Sequence, residues 1–158
     1  MSGSGFFDYG SGVGDRIDTV APVFLGEASV EDWAVIVAHC ERRRFRSGDV
    51  VVTAGDVDRS LLIVVEGELE TVAERRGRSR RLSPAPAGSV VGELGFLDGQ
   101  PRSASVIATT DGELLRMSAA SFESLAAVNP RLGRMMLWDL GRILAIRLRA
   151  LTDVVMTR

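Results

Sequence analysis

A chain of 158 residues, 46% hydrophobic and 25% charged, has the material for one domain with a substantial core and too little for two of ordinary size. Its formal net charge of −2 gives no general attraction to polyanions, and every basic residue is arginine. The single cysteine, Cys40, excludes an intramolecular disulfide; with no apolar run of membrane-spanning length and no signal-like start, a reducing cytoplasm is the expected location.

Residues 1–20 read as a Gly/Ser-rich leader ahead of a domain over 21–158. Residues 1–16 show no period, and Phe6, Phe7 and Tyr9 either stay in a flexible leader or dock on a partner or on the domain itself. Ser29, with Asp32 three residues on, predicts the N-cap of a helix through Cys40 whose apolar face carries Trp33, Ile36 and Val37.

From Arg44 to Met117 short β-rich runs alternate with Gly, Asp and Pro, the pattern of an antiparallel roll. Strands are expected near 43–46, 50–53, 60–66, 68–74, 80–83, 89–91, 103–109 and 112–117. Glu74–Arg81 holds five arginines around Gly77 and reads as a solvated hairpin tip, since no aromatic residues interleave them as in a nucleic-acid surface.

Ser118 predicts the cap of a short helix with Phe122 and Leu125, broken at Asn129-Pro130 before a long helix to about Val155. Apolar residues recur there at helical spacing: Leu132, Met136, Leu140, Ile143 and Leu144 through Val155. Two seven-residue lines run along it, Leu137, Leu144, Leu151 and Gly141, Leu148, Val155. The helix either packs on its own roll or pairs with a second copy. The fold expected is therefore mainly β: an antiparallel, jelly-roll-like β-roll over about 43–117, with an N-terminal helix and C-terminal helices over about 118–156.

The run Gly92-Glu93-Leu94-Gly95 to Gln100-Pro101-Arg102-Ser103-Ala104 carries the chemistry. Gly92 and Gly95 let backbone amides approach a ligand, and a helical turn starting near Glu93 aims its positive end at an anion. Arg102 adds a planar fork that fits two phosphate oxygens, Ser103 a hydroxyl donor, and Glu93 an acceptor for a sugar hydroxyl. An ordinary helix-end carboxylate and a surface ion pair are the bland readings of Glu93 and Arg102.

These residues resemble the cyclic-nucleotide-binding domains of catabolite activator proteins, cyclic-nucleotide-gated channels and the regulatory subunits of cAMP-dependent kinase. The resemblance spans roughly residues 24–155 and includes Arg46–Val51, Ala54-Gly55-Asp56 and Leu62–Glu70 upstream. It implies that Glu93 binds a ribose 2′-hydroxyl and Arg102 the cyclic phosphate, within a cassette of Gly92, Glu93, Leu94, Gly95, Arg102, Ser103 and Ala104. For the base it implies Thr71 and Leu82 on the roll, and on the long helix Arg147, with Arg142 as its rival. Catabolite activator proteins carry small hydroxyl residues at the position of Arg147 and Leu148, so this chain departs from them there. Ser103-Ala104 after the arginine resembles the cAMP-preferring form rather than the cGMP-selective one.

The function implied is a cAMP- or cGMP-sensing regulatory module acting through an unknown effector protein or as a homodimer through the helix 130–155. The chain stops three residues after Val155, so no DNA-reading helix-turn-helix is expected. The alternative is a vestigial cyclic-nucleotide-binding fold serving as a protein interaction domain. An enzyme is not expected: His39 alone cannot build a multi-histidine metal site, and a Ser or Cys nucleophile would have only that imidazole as its base. No cofactor or metal is expected.

Overall fold

A computed structural model describes residues 21–157; the expected leader lies outside the described residues. The element order is α1 (Val30–Ala38), β1 (Glu41–Phe45), β2 (Val50–Val52), β3 (Ser60–Glu66), β4 (Glu68–Arg75), β5 (Arg78–Pro86), β6 (Val90–Val91), α2 (Glu93–Asp98), β7 (Ser105–Ala108), β8 (Gly112–Ser118), α3 (Ala119–Val128) and α4 (Pro130–Met156). The strands form two four-stranded antiparallel sheets, β1-β8-β3-β6 and β2-β7-β4-β5. This is the expected β-roll with flanking helices.

The alternation of side chains along β3 divides the interior. Leu62 and Val64 point into the space between the two sheets, where they cluster with Phe45 and Leu114 of their own sheet and Leu69 and Val106 of the other. Leu61 and Ile63 face the opposite way, into a second core with Ile36, Phe96, Met117, Leu125, Leu132, Met136, Leu140 and Ile143 from the helices. A strand stretch covered on both faces must be apolar throughout, which is why Leu61–Val64 shows no polar alternation.

The helix ends follow the expected chemistry. Ser29 and Asp32 form a reciprocal capping box on α1, Ser118 accepts from the Ser121 amide to cap α3, and Asn129 accepts from the Leu132 amide beside Pro130 to start α4. Asp32 also pairs with Arg131, fastening α1 to α4.

Three strands differ from expectation by two residues or more at an end. β5 runs from Arg78 to Pro86, well beyond 80–83, because it is an edge strand, where Pro84 and Pro86 need no ladder donor. β1 starts two residues early at Glu41, paired with Arg116 of β8. β7 begins at Ser105 rather than 103, since Arg102–Ala104 leaves the ladder to wall a cleft.

Candidate ligand-binding site

The chain enters the cassette through Gly92, whose φ of 78° turns it from β6 into the six-residue helix α2. A Cβ at Gly92 would stand 2.5 Å from Arg102 Nη1 and 3.1 Å from the Ser60 carbonyl oxygen, so the turn and the arginine are packed against one another. Six residues are too few for α2 to supply much of an anion site by its dipole, which leaves Arg102 as the main positive group.

The Arg102 backbone is held by two bonds to the turn after β2: its amide donates to the Asp56 carbonyl and its own carbonyl accepts from the Gly55 amide, both at 2.8 Å. The side chain is only 3% exposed. Nη1 donates to the Gly92 carbonyl and Nη2 to the Ser60 carbonyl, each at 2.8 Å, while Asp58 Oδ2 stands 3.5 Å from Nη2. Its Nε is buried without a hydrogen-bond partner. Burial pushes the Asp58 carboxyl upward, but the Ser60 hydroxyl, Arg116 and Arg102 outweigh it and leave the group below its ordinary value.

Glu93, the first residue of α2, is buried, and its Oε1 lies 2.5 Å from Arg147 Nη1. Arg147 Nη2 also donates to the Val90 carbonyl at 2.9 Å. These contacts join α4 to the cassette.

One cleft of about 200 Å³ collects nearly all the expected residues: Gly92, Glu93, Leu94, Gly95, Arg102, Ser103 and Ala104 from the cassette, Thr71 and Leu82 from β4 and β5, and Arg147 from α4. Arg142 is not among them. It points away from the cleft, bonded to Asp139 at 2.6 Å and to the Val23 carbonyl at 2.8 Å, so that it fastens the segment before α1 to α4. Its expected role as a rival base contact is corrected on that ground.

Sequence reasoning did not single out Ser83, Pro84 or Ala85, which line the cleft, nor Asp58 and Ser60, which hold Arg102 from behind. A hint existed for Ser60, a hydroxyl at the head of an otherwise apolar run, which is costly to bury without a partner. For the hairpin wall, strand alternation beyond the arginine-rich turn gave no register.

Other chemistry is sparse. His39 Nδ1 is 2.8 Å from the Val35 carbonyl of its own helix, a structural contact. Burial pushes the Cys40 thiol up to about 11, which leaves little thiolate at neutral pH. Among the described residues no group of three or more His, Cys, Asp and Glu could hold a metal, and no helix is long and apolar enough to cross a membrane.

Known proteins share this architecture and sequence. The cAMP-activated global transcriptional regulator Vfr of Pseudomonas aeruginosa is 31% identical over 125 residues, 76% of this chain and 56% of that protein. The catabolite activator protein of Thermus thermophilus superposes with a TM-score of 0.73 at 26% identity, covering 84% of this chain and 60% of that one. A cyclic nucleotide-binding domain from Methylobacillus flagellatus shares the fold at a TM-score of 0.77 and 24% identity, covering 85% and 77%. The chain spans about half the length of the curated relatives it matches. Residues 42–129, which run from β1 to the end of α3, match the cyclic nucleotide-binding domain family as a whole, and the chain belongs to that family.

Proposed function

We propose that this chain is a regulatory module that binds a cyclic nucleotide in the cleft, cAMP in preference to cGMP, and that it acts in the cytoplasm through a partner protein or a second copy of itself, not as an enzyme. The observation that carries the reading is Arg102: a guanidinium 3% exposed, with its Nε unpartnered, lining the cleft that also holds Glu93. A buried donor without a partner costs about 1–3 kcal/mol, and a phosphate oxygen would satisfy it while balancing the charge. Glu93 supplies an acceptor for ribose, and Thr71, Leu82 and Arg147 provide the walls for the base.

The preference for cAMP is supported by Ser103-Ala104 after the arginine and by relatives named as cAMP-activated regulators. Homodimer formation is supported by α4, whose Leu137, Leu148, Leu151 and Val155 stand exposed along the two seven-residue lines.

Calorimetric titration with cAMP and cGMP, after stripping co-purified nucleotide, tests the reading. Binding is expected with cAMP the tighter, and Arg102→Ala should weaken it by roughly 2–5 kcal/mol, the cost of removing one side of a desolvated charge pair. No heat with either nucleotide would overturn the reading in favour of a vestigial fold used as an interaction domain.

A further inference from the structure

The N-terminal half of α4 carries a stripe that neither the roll nor the two seven-residue lines account for. Arg131, Met135, Trp138 and Arg142 recur at spacings of four, three and four, so they share one side of the helix. Leu137, on the line proposed for a second copy, is turned about 100° away from Trp138. Together with residues of the segment Val23–Ala28, the stripe bounds an open groove of about 820 Å³, against about 200 Å³ for the ligand cleft. Its two walls are fixed to one another: the Leu25 amide donates to Asp139 Oδ2 at 2.7 Å, and Arg142 Nη2 donates to the Val23 carbonyl at 2.8 Å.

The lining has the composition of an interface centre. Trp138 is 81% exposed and Val23 54%, and Met135 and three arginines stand beside them; Trp, Met and Arg are the residues that concentrate where proteins meet. Arg131 and Arg142 already have carboxylate partners in Asp32 and Asp139. Arg134 forms no ion pair among the described residues, and against Glu27 and Asp139 the three arginines leave the lining net positive.

The chain itself holds a segment of matching chemistry. Residues 1–20 include the run Phe6-Phe7-Asp8-Tyr9, with the chain's only tyrosine, and carry three aspartates against one arginine. They join the described chain at Ala21, two positions before Val23 at the rim of the groove. Fully extended, residues 10–20 span at most about 40 Å, and the helix from Arg131 to Arg142 is about 17 Å long, so the aromatic run reaches every part of the stripe. So short a tether holds the run at an effective concentration on the order of millimolar, and contacts too weak to retain a free peptide are then sufficient.

We propose that this groove is the docking site of the acidic aromatic run Phe6–Tyr9 of the same chain, with the rings against Trp138 and Met135 and the Asp8 carboxylate toward Arg134. The docking is independent of the cyclic-nucleotide reading, because the groove and the ligand cleft share no lining residue.

The test uses the full chain without nucleotide and follows the indole N–H resonances of Trp33 and Trp138, told apart with Trp138→Phe, as a water-soluble paramagnetic probe is added. In the parent the Trp138 signal should broaden severalfold less than in the variant combining Phe6→Ser, Phe7→Ser and Tyr9→Ser. Trp33, packed against the core, should behave alike in both and reports that the fold is kept. Asp8→Arg or Arg134→Glu alone should expose Trp138, and the two combined should shield it again. Equal broadening in the parent and the triple serine variant would overturn the proposal and leave the groove to a different protein. Shielding that grows with protein concentration would overturn docking within one chain by making a second copy the occupant. Single charge reversals that leave the shielding intact would overturn the placement of Asp8 against Arg134.

Discussion

At position 92 the backbone has left the region open to most L-residues, and the space where a side chain would begin is filled by Arg102 Nη1, 2.5 Å away. Gly92→Ala should therefore do two things. It forces an unfavourable φ, costing about 1–3 kcal/mol, and it pushes Arg102 off the Gly92 carbonyl. Thermal unfolding should report the first and calorimetry with cAMP the second; an alanine variant with parental affinity would mean that Arg102 is not held where the phosphate is expected. Glu93 and Arg102 were legible in the sequence because they lie in one short run with its glycines and proline, so that local spacing alone brings them together. The Arg147–Glu93 pair was not legible. Its members sit on elements separated by β7, β8 and α3, and only the angle at which α4 crosses the cassette brings them within 2.5 Å. Arg142, five residues before Arg147 and the same residue type, faces the segment before α1 instead. Along a helix with 3.6 residues per turn, five positions rotate a side chain well off its neighbour's face, and sequence alone does not say which face meets the cleft.

Among the elements, those with a local signature were read within a residue or two: the Ser29 and Ser118 caps, the Asn129-Pro130 break, and the doubly covered strand β3. Elements whose limits depend on neighbours were not, as with β5, whose prolines look like strand breakers until its edge position is known. The cap of α1 has a consequence for acid stability. Asp32 is held below the ordinary aspartate range by its hydrogen bond to Arg131, then by the Ser29 amide, while burial opposes this. A carboxyl depressed in the folded state stabilises at pH above its unfolded value, and that contribution is lost as pH falls through the folded value. Asp32→Asn should lower the melting temperature most at neutral pH, with the gap between parent and variant closing on acidification. A gap of constant size down to strongly acidic pH would show that the loss does not come from the charge, and no gap at neutral pH would show that the amide replaces the carboxylate in the cap and that the Arg131 pair contributes nothing.

At the scale of the whole molecule, α4 has two apolar faces and the domain covers only one. Leu132, Met136, Leu140 and Ile143 are buried against the roll, whereas Leu148 and Val155 are 65% and 64% exposed, with Leu137 and Leu151 also open. Nothing lies within 4 Å of a Cβ placed on Gly141, a gap on the same line as Leu148 and Val155 where a second helix could approach closely. The spacing of Leu137, Leu144 and Leu151 is that of a two-helix seam, and a self-complementary stripe favours a two-fold pair in which each residue meets its own copy. Burying a leucine side chain contributes about 1.5–3 kcal/mol, so a few such positions on each helix are enough for association in the micromolar range once the cost of pairing is subtracted. Sedimentation equilibrium should find a dimer for the parent chain and a monomer for Leu148→Glu combined with Leu151→Glu. Because neither leucine is packed on the roll, the monomeric variant should unfold within about 0.5 kcal/mol of the parent measured under monomeric conditions. A parent chain that stays monomeric at all accessible concentrations would assign the open face to a different protein. A double variant that still dimerises would place the contact elsewhere on the surface.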